Sequence, residues 1–469
     1  MKKIHIIMLS AAMLLSLGAS AQSFRSGYFL DNYVYGYRIN PAQVNDRGFF
    51  ALLLGNMDFQ NRTTFGVSQF LYPASNGLVT GLNSLVEPDE FLGKFKANNY
   101  LALDESINIL ALGVAIGRTM HTLEVNVRVG ATASLPYDLF AIVKSGKAGT
   151  YDLGGIYLDA TALADVCYGF STHIGDHFSA GARLHFLYGA ANGNLTGNQS
   201  YITLSDKQVA ALANMDLNVS GIFNGGLNPD GIFGFDNINI NPWPPTSYGG
   251  AVDLGFQYTS DFGLEAMVSV TDLGMMSWAN QISAHAEASI DYTGGSFTFE
   301  NGTINTNFEE IMQKFTDSLV EPKFTTGTRA WRMMPWNAAA GVRYHMPFWK
   351  GLSVGALGTY HFEKCASWYD ARLGVTVTPA RIITATTNIG YSTFGPTWGG
   401  AIDLHLGPFN LLAGFDGYIG PMGKFGLGDT LSSLNGVPVV STLSKAVTFV
   451  PFPLNGSIGN AHIGLTLTF

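Results

Sequence analysis

The stretch Thr122-Leu123-Glu124-Val125-Asn126-Val127-Arg128-Val129-Gly130-Ala131 decides the fold. Its odd positions are apolar and its even positions are polar or glycine. On an extended chain successive side chains point to opposite faces. A period of two therefore puts Leu123, Val125, Val127 and Val129 on one face and Glu124, Asn126 and Arg128 on the other.

The same period recurs outward from this stretch. Leu264, Ala266, Val268 and Val270 interleave with Glu265, Met267, Ser269 and Thr271. Tyr369, Ala371, Leu373, Val375 and Val377 interleave with Asp370, Arg372, Gly374, Thr376 and Thr378. Trp398, Gly400, Ile402, Leu404 and Leu406 interleave with Gly399, Ala401, Asp403 and His405. The chain ends the same way, His462, Gly464, Thr466 and Thr468 alternating with Ile463, Leu465, Leu467 and Phe469.

A half-buried soluble sheet alternates too, so length and spacing must separate the cases. The apolar-face runs reach about 9–11 residues, enough to cross a bilayer at a tilt. Short turns near Asn61, Gly117, Gly175 and Asp261 alternate with long connections near 72–98, 134–150, 194–246 and 274–324. After about residue 325 the connections shorten, as at Phe348-Trp349-Lys350 and Gly407-Pro408, until a last long one at 419–459. Short periplasmic turns and longer extracellular loops are the habit of outer-membrane barrels. The expected fold is all-β, a transmembrane antiparallel barrel with short helices in its extracellular loops. About fifteen candidate strands can be marked. The even count of single-chain bacterial barrels makes this about 14, or else 16, with 48–60 or 194–246 as the ambiguous stretches.

Composition agrees. Only 13% of the 469 residues are charged, against about 25% in soluble proteins. No stretch beyond the first twenty or so residues is a long charge-free apolar run, which excludes membrane helices. A membrane barrel satisfies both facts, because its apolar residues sit at every second position.

The start of the chain reads as an export signal. Lys2 and Lys3 precede an apolar stretch from Ile4 to Leu17, and Ala19-Ser20-Ala21 is an A-x-A cleavage site. The stretch is short for a spanning helix of roughly 20 residues, the alternative reading. Residues 1–21 are thus expected to be cleaved, 22–47 to form an N-terminal plug or hatch-like segment, or else a periplasmic tail, and 48–469 to form the barrel. Export and barrel together place the protein in the outer membrane of a Gram-negative bacterium. Without Lys2 and Lys3 the chain has 23 basic and 34 acidic residues, a net charge of −11 that argues against a nucleic-acid partner.

Four pieces carry helical signals. Asn307 with Glu310 suits a capping box ahead of Phe308, Ile311, Met312, Phe315, Leu319 and Val320. Ser205 with Gln208 looks like a second start, 136–144 a third and 87–96 a weak fourth. Segment 22–46 lacks clean alternation and is rich in Tyr28, Tyr33, Tyr35 and Tyr37.

Two elements carry a resemblance. Gly27-Tyr28-Phe29-Leu30-Asp31 through Arg38-Ile39-Asn40-Pro41-Ala42 resembles the opening of a Bacteroidetes-type family of outer-membrane barrels of unassigned function. The Asn40-Pro41-Ala42 element also looks like one in long-chain fatty-acid transporter-like barrels. Thr271-Asp272-Leu273-Gly274 followed by Trp278 looks like a second family element. The resemblance implies about 14 strands around an N-terminal segment. It implies either uptake of hydrophobic solutes or service in an outer-membrane secretion or assembly machine. The terminal aromatic, Phe469, resembles the signal read by the barrel-assembly machinery.

Candidate lumen-facing residues follow from parity: Glu124, Arg128, Glu265, Asp370, Arg372, Asp403, His405 and Asp416. Facing inward they either select solutes or form a salt-bridge ladder that stiffens a blocked lumen. Asn40, Pro41, Ala42, Asp272, Leu273 and Gly274 are the candidate hatch and motif residues. Trp331, Trp336, Trp349 and Trp398 fall at strand ends and suit an interfacial aromatic girdle. His173 and His177 have an H-x3-H spacing, but across a tight turn, a poor metal frame. Cys167 and Cys365 either pair or stay free. No sequence signature of a nucleophile–base system or nucleotide loop is present, so neither enzyme activity nor a cofactor is expected.

The sequence leaves two functions open. One is a transporter-like barrel passing small hydrophobic solutes, with an apolar pocket near the mouth fed by 72–98 and 274–324. The other is a non-conducting structural or interaction subunit with a blocked lumen and an outer-membrane protein partner. Its first partner in either case is the lipid bilayer.

Overall fold

The computed structural model describes residues 24–31, 33–53, 56–75, 77–205, 208–227, 233–240, 246–293, 323–420, 422–426, 449–453 and 455–469. The expected export signal at 1–21, the helical pattern expected at 307–320 and the proline-rich 242–245 lie outside these residues.

The wall is built from β1 (Phe49–Leu52), β2 (Met57–Thr63), β3 (Asn98–Ile116), β4 (Thr119–Pro136), β5 (Tyr157–Ile174) and β6 (Phe178–Gly197). It continues through β7 (Gln208–Gly221), β8 (Tyr248–Thr259), β9 (Leu264–Thr293), β10 (Lys323–Met333), β11 (Trp336–His345) and β12 (Leu352–Phe362). It ends with β13 (Trp368–Ala380), β14 (Ile383–Ser392), β15 (Gly395–Leu406), β16 (Phe409–Tyr418) and β17 (Ser457–Thr468).

Among the described residues, sixteen of these segments close an antiparallel ring. They make fourteen staves. β1 and β2 are two pieces of one stave, each lying between β17 and β3. β7 and β8 are the upper and lower pieces of another, both between β6 and β9. The remaining segment, β10, continues the stave of β11 upward along β9. Pairing of Phe49 with Thr468 closes the seam, and the Phe469 N–H donates to the Gly48 carbonyl at 2.9 Å. Segment 48–60 thus belongs to the wall apart from residues 54–55, which lie outside the described residues.

The parity read from the sequence sets the two faces. Leu123, Val127, Val268, Leu373 and Ile402 are exposed on the outside, while Glu124, Asn126, Ser269, Arg372 and Asp403 are buried inside. Trp331, Trp349 and Trp398 are exposed, and Trp336 stacks on Phe362 at 3.8 Å. Gly117 and Gly175 take φ of +60° and +65° in tight turns at the lower rim, a conformation that glycine adopts without steric cost.

The upper rim is uneven. β9 runs for 30 residues, whereas β14 and β16 run for 10. About 9–11 residues suffice to cross the bilayer, so β9 stands well above it and shortens the connection expected at 274–324. The expected helix from Ser205 and Gln208 is strand β7 instead. Val209, Ala211, Ala213, Met215, Leu217 and Val219 alternate with Asn214, Asp216, Asn218 and Ser220, and this period of two overrides the local cap signal. Helices do form at Tyr137–Ser145 and Pro88–Leu92. They pack Phe91, Phe95 and Phe140 together with Tyr72 into an apolar cap above the rim.

Candidate functional site

Residues 24–31 and 33–47 run inside the ring, and the site is built where they meet the wall. Two short 3-10 turns, Arg25–Phe29 and Gly36–Arg38, fold the segment so that Phe24, Phe29, Tyr33, Tyr35 and Tyr37 form one aromatic cluster with Phe49, Met120 and Leu412. Backbone buried in this way needs partners, and polar wall residues supply them. Ser269 donates to the Ile39 carbonyl at 2.7 Å, Thr376 to that of Phe29 at 2.6 Å and Ser171 to that of Gln43 at 2.9 Å. Inward glycines give the segment room. A side chain at Gly181 meets the Pro41 backbone, one at Gly374 meets the Phe29 ring, and one at Gly414 meets the Phe24 ring.

Three ion-pair clamps hold the segment. In the first, Glu124 accepts from the Tyr37 hydroxyl at 2.8 Å, from Arg38 at 2.6 Å and from Arg183 at 2.5 Å. Arg183 also donates to Asp253 at 2.8 Å, and His185 lies between Asp253 at 3.0 Å and Asp165 at 2.9 Å. Arg128 completes this network by reaching Asp272 at 2.9 Å and Asp165 at 3.4 Å. In the second, Asp416 accepts from the Arg25 N–H at 2.8 Å, the Ser26 hydroxyl at 2.5 Å and Arg372 at 2.6 Å, while Arg372 also pairs with Asp370 at 2.7 Å. In the third, Arg343 joins Glu265 at 2.7 Å to Asp31 at 3.3 Å. Asp403 and His405 pair with each other at 3.2 Å near the lower rim.

The eight lumen candidates therefore divide. Glu124 and Asp416 touch the inner segment directly. Glu265 reaches it through Arg343. Asp370 and Arg372 brace Asp416, and Arg128 braces the Glu124 network. Asp403 and His405 stand apart from the clamps. The partners Arg183, His185, Asp165, Asp253 and Arg343 were not singled out from sequence. Parity could have found Arg183 and His185, which interleave with Leu184 and Phe186.

The motif residues have structural roles. Asn40 accepts from the Ala42 N–H at 3.1 Å, a local turn that presents Pro41 to Gly181, and it donates to Gln257 at 3.1 Å. Asp272 has φ of +62°, and its N–H donates to Asp253 at 2.6 Å. Leu273 faces outward, and a side chain at Gly274 meets the Gly250 backbone.

His185, Asp253 and Asp272 present ligand atoms within 4.8 Å of one another. Arg128 and Arg183 already neutralise these carboxylates, so a cation would have to displace them. His177 of the H-x3-H pair contacts the Thr259 carbonyl at 3.1 Å and lies 3.9 Å from Asp261. Cys167 is buried and Cys365 exposed, and both are free.

The inner segment separates two chambers. A lower one of about 630 Å³ is bounded by Asp31, Asn45, Arg343 and His405. An upper vestibule of about 620 Å³ is lined by Arg62, Asp104, Arg128, Asp159 and Arg332 together with the apolar Leu163, Met276, Trp278, Met334 and Trp336. The lining is thus mixed, neither apolar throughout as expected nor uniformly polar. Strand parity delivers the polar side chains to the inside, Leu163, Met276, Trp278 and Met334 form an apolar cluster beside them, and the loop aromatics pack on one another in the cap above.

Comparison with known proteins places the chain. A model of a family of unknown function (DUF5723) matches residues 41–416. The chain belongs to this family. No curated protein matches the chain. Among solved structures, the family member is similar to the Ralstonia pickettii toluene transporter TbuX, at 10% identity and a TM-score of 0.43, over 96% of this chain and 99% of that one. It is similar to a Pseudomonas aeruginosa FadL homologue at 11% identity and a TM-score of 0.44, over 96% and 99%. It is similar to the P. putida toluene transporter TodX at 9% identity and a TM-score of 0.41, over 96% of each. Scores below 0.5 leave function to be argued from this chain's own geometry.

Proposed function

We propose that this protein is a gated, transporter-like barrel of the outer membrane, closed at rest by residues 24–47. A small solute enters the upper vestibule and passes when the inner segment withdraws. The observation that carries this reading is the pair of chambers of similar size on either side of one clamped chain segment. The mixed vestibule lining, with Arg128 and Arg332 beside Met276, Trp278 and Trp336, suits an amphipathic solute. The exposed Phe469 at the seam suits recognition by the barrel-assembly machinery.

A second reading is a non-conducting interaction subunit. Leu82 and Leu85, exposed on the loops above the cap, and the tall wall of β9 favour it. Single-channel recording in a planar bilayer separates the two. The gated reading expects a silent intact protein and steady current after deletion of residues 22–46. Silence in both, with barrel folding verified by heat-modified gel mobility, supports the interaction subunit.

A further inference from the structure

The turn between β12 and β13, residues 363–367, does not stay at the rim. It folds across the lumen above the inner segment. Glu363 accepts from Thr132 of β4 at 2.6 Å and from Arg62 of β2 at 3.1 Å, and His361 of its own stave lies 3.3 Å away. Lys364 sits 5.0 Å over the Tyr157 ring at the head of β5. Ala366 and Trp368 are buried against Tyr100 of β3, Ile458 of β17 and Phe394. One short turn thus touches staves from both sides of the barrel. Cys365 holds φ of +65°, a conformation that a non-glycine residue keeps only where its surroundings impose it.

The turn also rests on the inner segment. The Arg25 guanidinium lies 4.3 Å over the Trp368 indole, and that of Arg62 lies 5.6 Å from the same ring. On the vestibule's lining next to the inner segment, Glu363 faces Arg62, with Asp104 2.7 Å from the guanidinium. Opposed charges at a narrow polar constriction are how pores discriminate among ions and charged solutes.

We propose that residues 363–367 form the selectivity constriction of this barrel, with Glu363 and Arg62 as its opposed charges. The proposal rests on the gated-passage reading and adds a second barrier in series with the inner segment. The test uses the barrel lacking residues 22–46 in a planar bilayer under a KCl gradient. Glu363→Gln is expected to move the reversal potential toward anion selectivity, and Arg62→Gln toward cation selectivity. Thr132→Val, which removes one hydrogen bond and no charge, is expected to raise unit conductance without moving the reversal potential. Heat-modified gel mobility of each variant verifies the folded barrel. Conduction with unchanged selectivity in both charge variants overturns the constriction and leaves gated passage standing. Absence of current in every variant overturns both.

Discussion

Asp416 receives the Ser26 hydroxyl at 2.5 Å, so a wall strand near the chain's end holds the tip of the segment near its beginning. The same carboxylate accepts the Arg25 N–H and neutralises the buried Arg372. Losing a hydrogen bond to a charged group costs about 1.5–3 kcal/mol. Removing one partner of a buried ion pair costs about 3–5 kcal/mol. Ser26→Ala should therefore loosen only the tip, while Asp416→Asn should also destabilise the barrel. Gel-shift unfolding temperatures are expected to fall further for Asp416→Asn. Trypsin cleavage at Arg25 and Arg38 is expected to rise in both variants.

Gly181 offers a test that changes no charge. It faces the Pro41 backbone, and a side chain there cannot coexist with the inner segment in place. Gly181→Val should expel the segment from that side while the strand pairing of β6 with β5 and β8 persists. The expected result is a folded barrel with protease-sensitive residues 24–47 and current resembling that of the 22–46 deletion. A silent, protease-resistant Gly181→Val protein is the opposite outcome and means the segment tolerates displacement.

Much of this was legible in the sequence, because strand parity is a local property. Glu124, Arg128, Glu265, Asp370, Arg372, Asp403 and Asp416 are all placed inside by the same odd–even rule that puts Leu123 and Leu373 outside. Which of them meet was not legible. Glu124 finds Arg183 because β4 lies two staves from β6, and Asp416 finds Ser26 across 390 residues of chain. The inward turn at 363–367 carries no sequence signal, since its residues are those of an ordinary rim loop. The sockets for the inner segment leave a fainter trace. Gly181, Gly374 and Gly414 occupy lumen-face positions where a barrel wall has no need of glycine.

The outer face can be tested at one position. Val268 is exposed in the lower, membrane-level part of β9, between Met267 and Ser269, which face inward. A charge on the lipid face costs about 2–4 kcal/mol at the bilayer midplane and falls off toward the interfaces. Val268→Arg is expected to lower stability by up to that amount in urea unfolding from lipid vesicles. Ser269→Ala should instead weaken the hold on Ile39 by about 1 kcal/mol. A reversed order would place β9 one residue out of register.

The last expectation concerns pH. Burial raises the Glu363 carboxyl, but the His361 hydrogen bond, the Arg62 guanidinium and the Thr132 hydroxyl outweigh it and hold it below the ordinary glutamate value. A carboxyl depressed in the folded state stabilises at pH above its unfolded pKa, about 4.3, and that stabilisation is lost as pH falls through the lower folded value. The turn at 363–367 should therefore stay latched at neutral pH and loosen only in acid below about pH 4. In the barrel lacking residues 22–46, unit conductance is expected to rise over that acidic range. Glu363→Gln should show the raised conductance already at pH 7 and little further change in acid, because the titrating group is gone. A pH response that survives Glu363→Gln would instead place the titration at another group of the vestibule, such as Asp104 or Asp159.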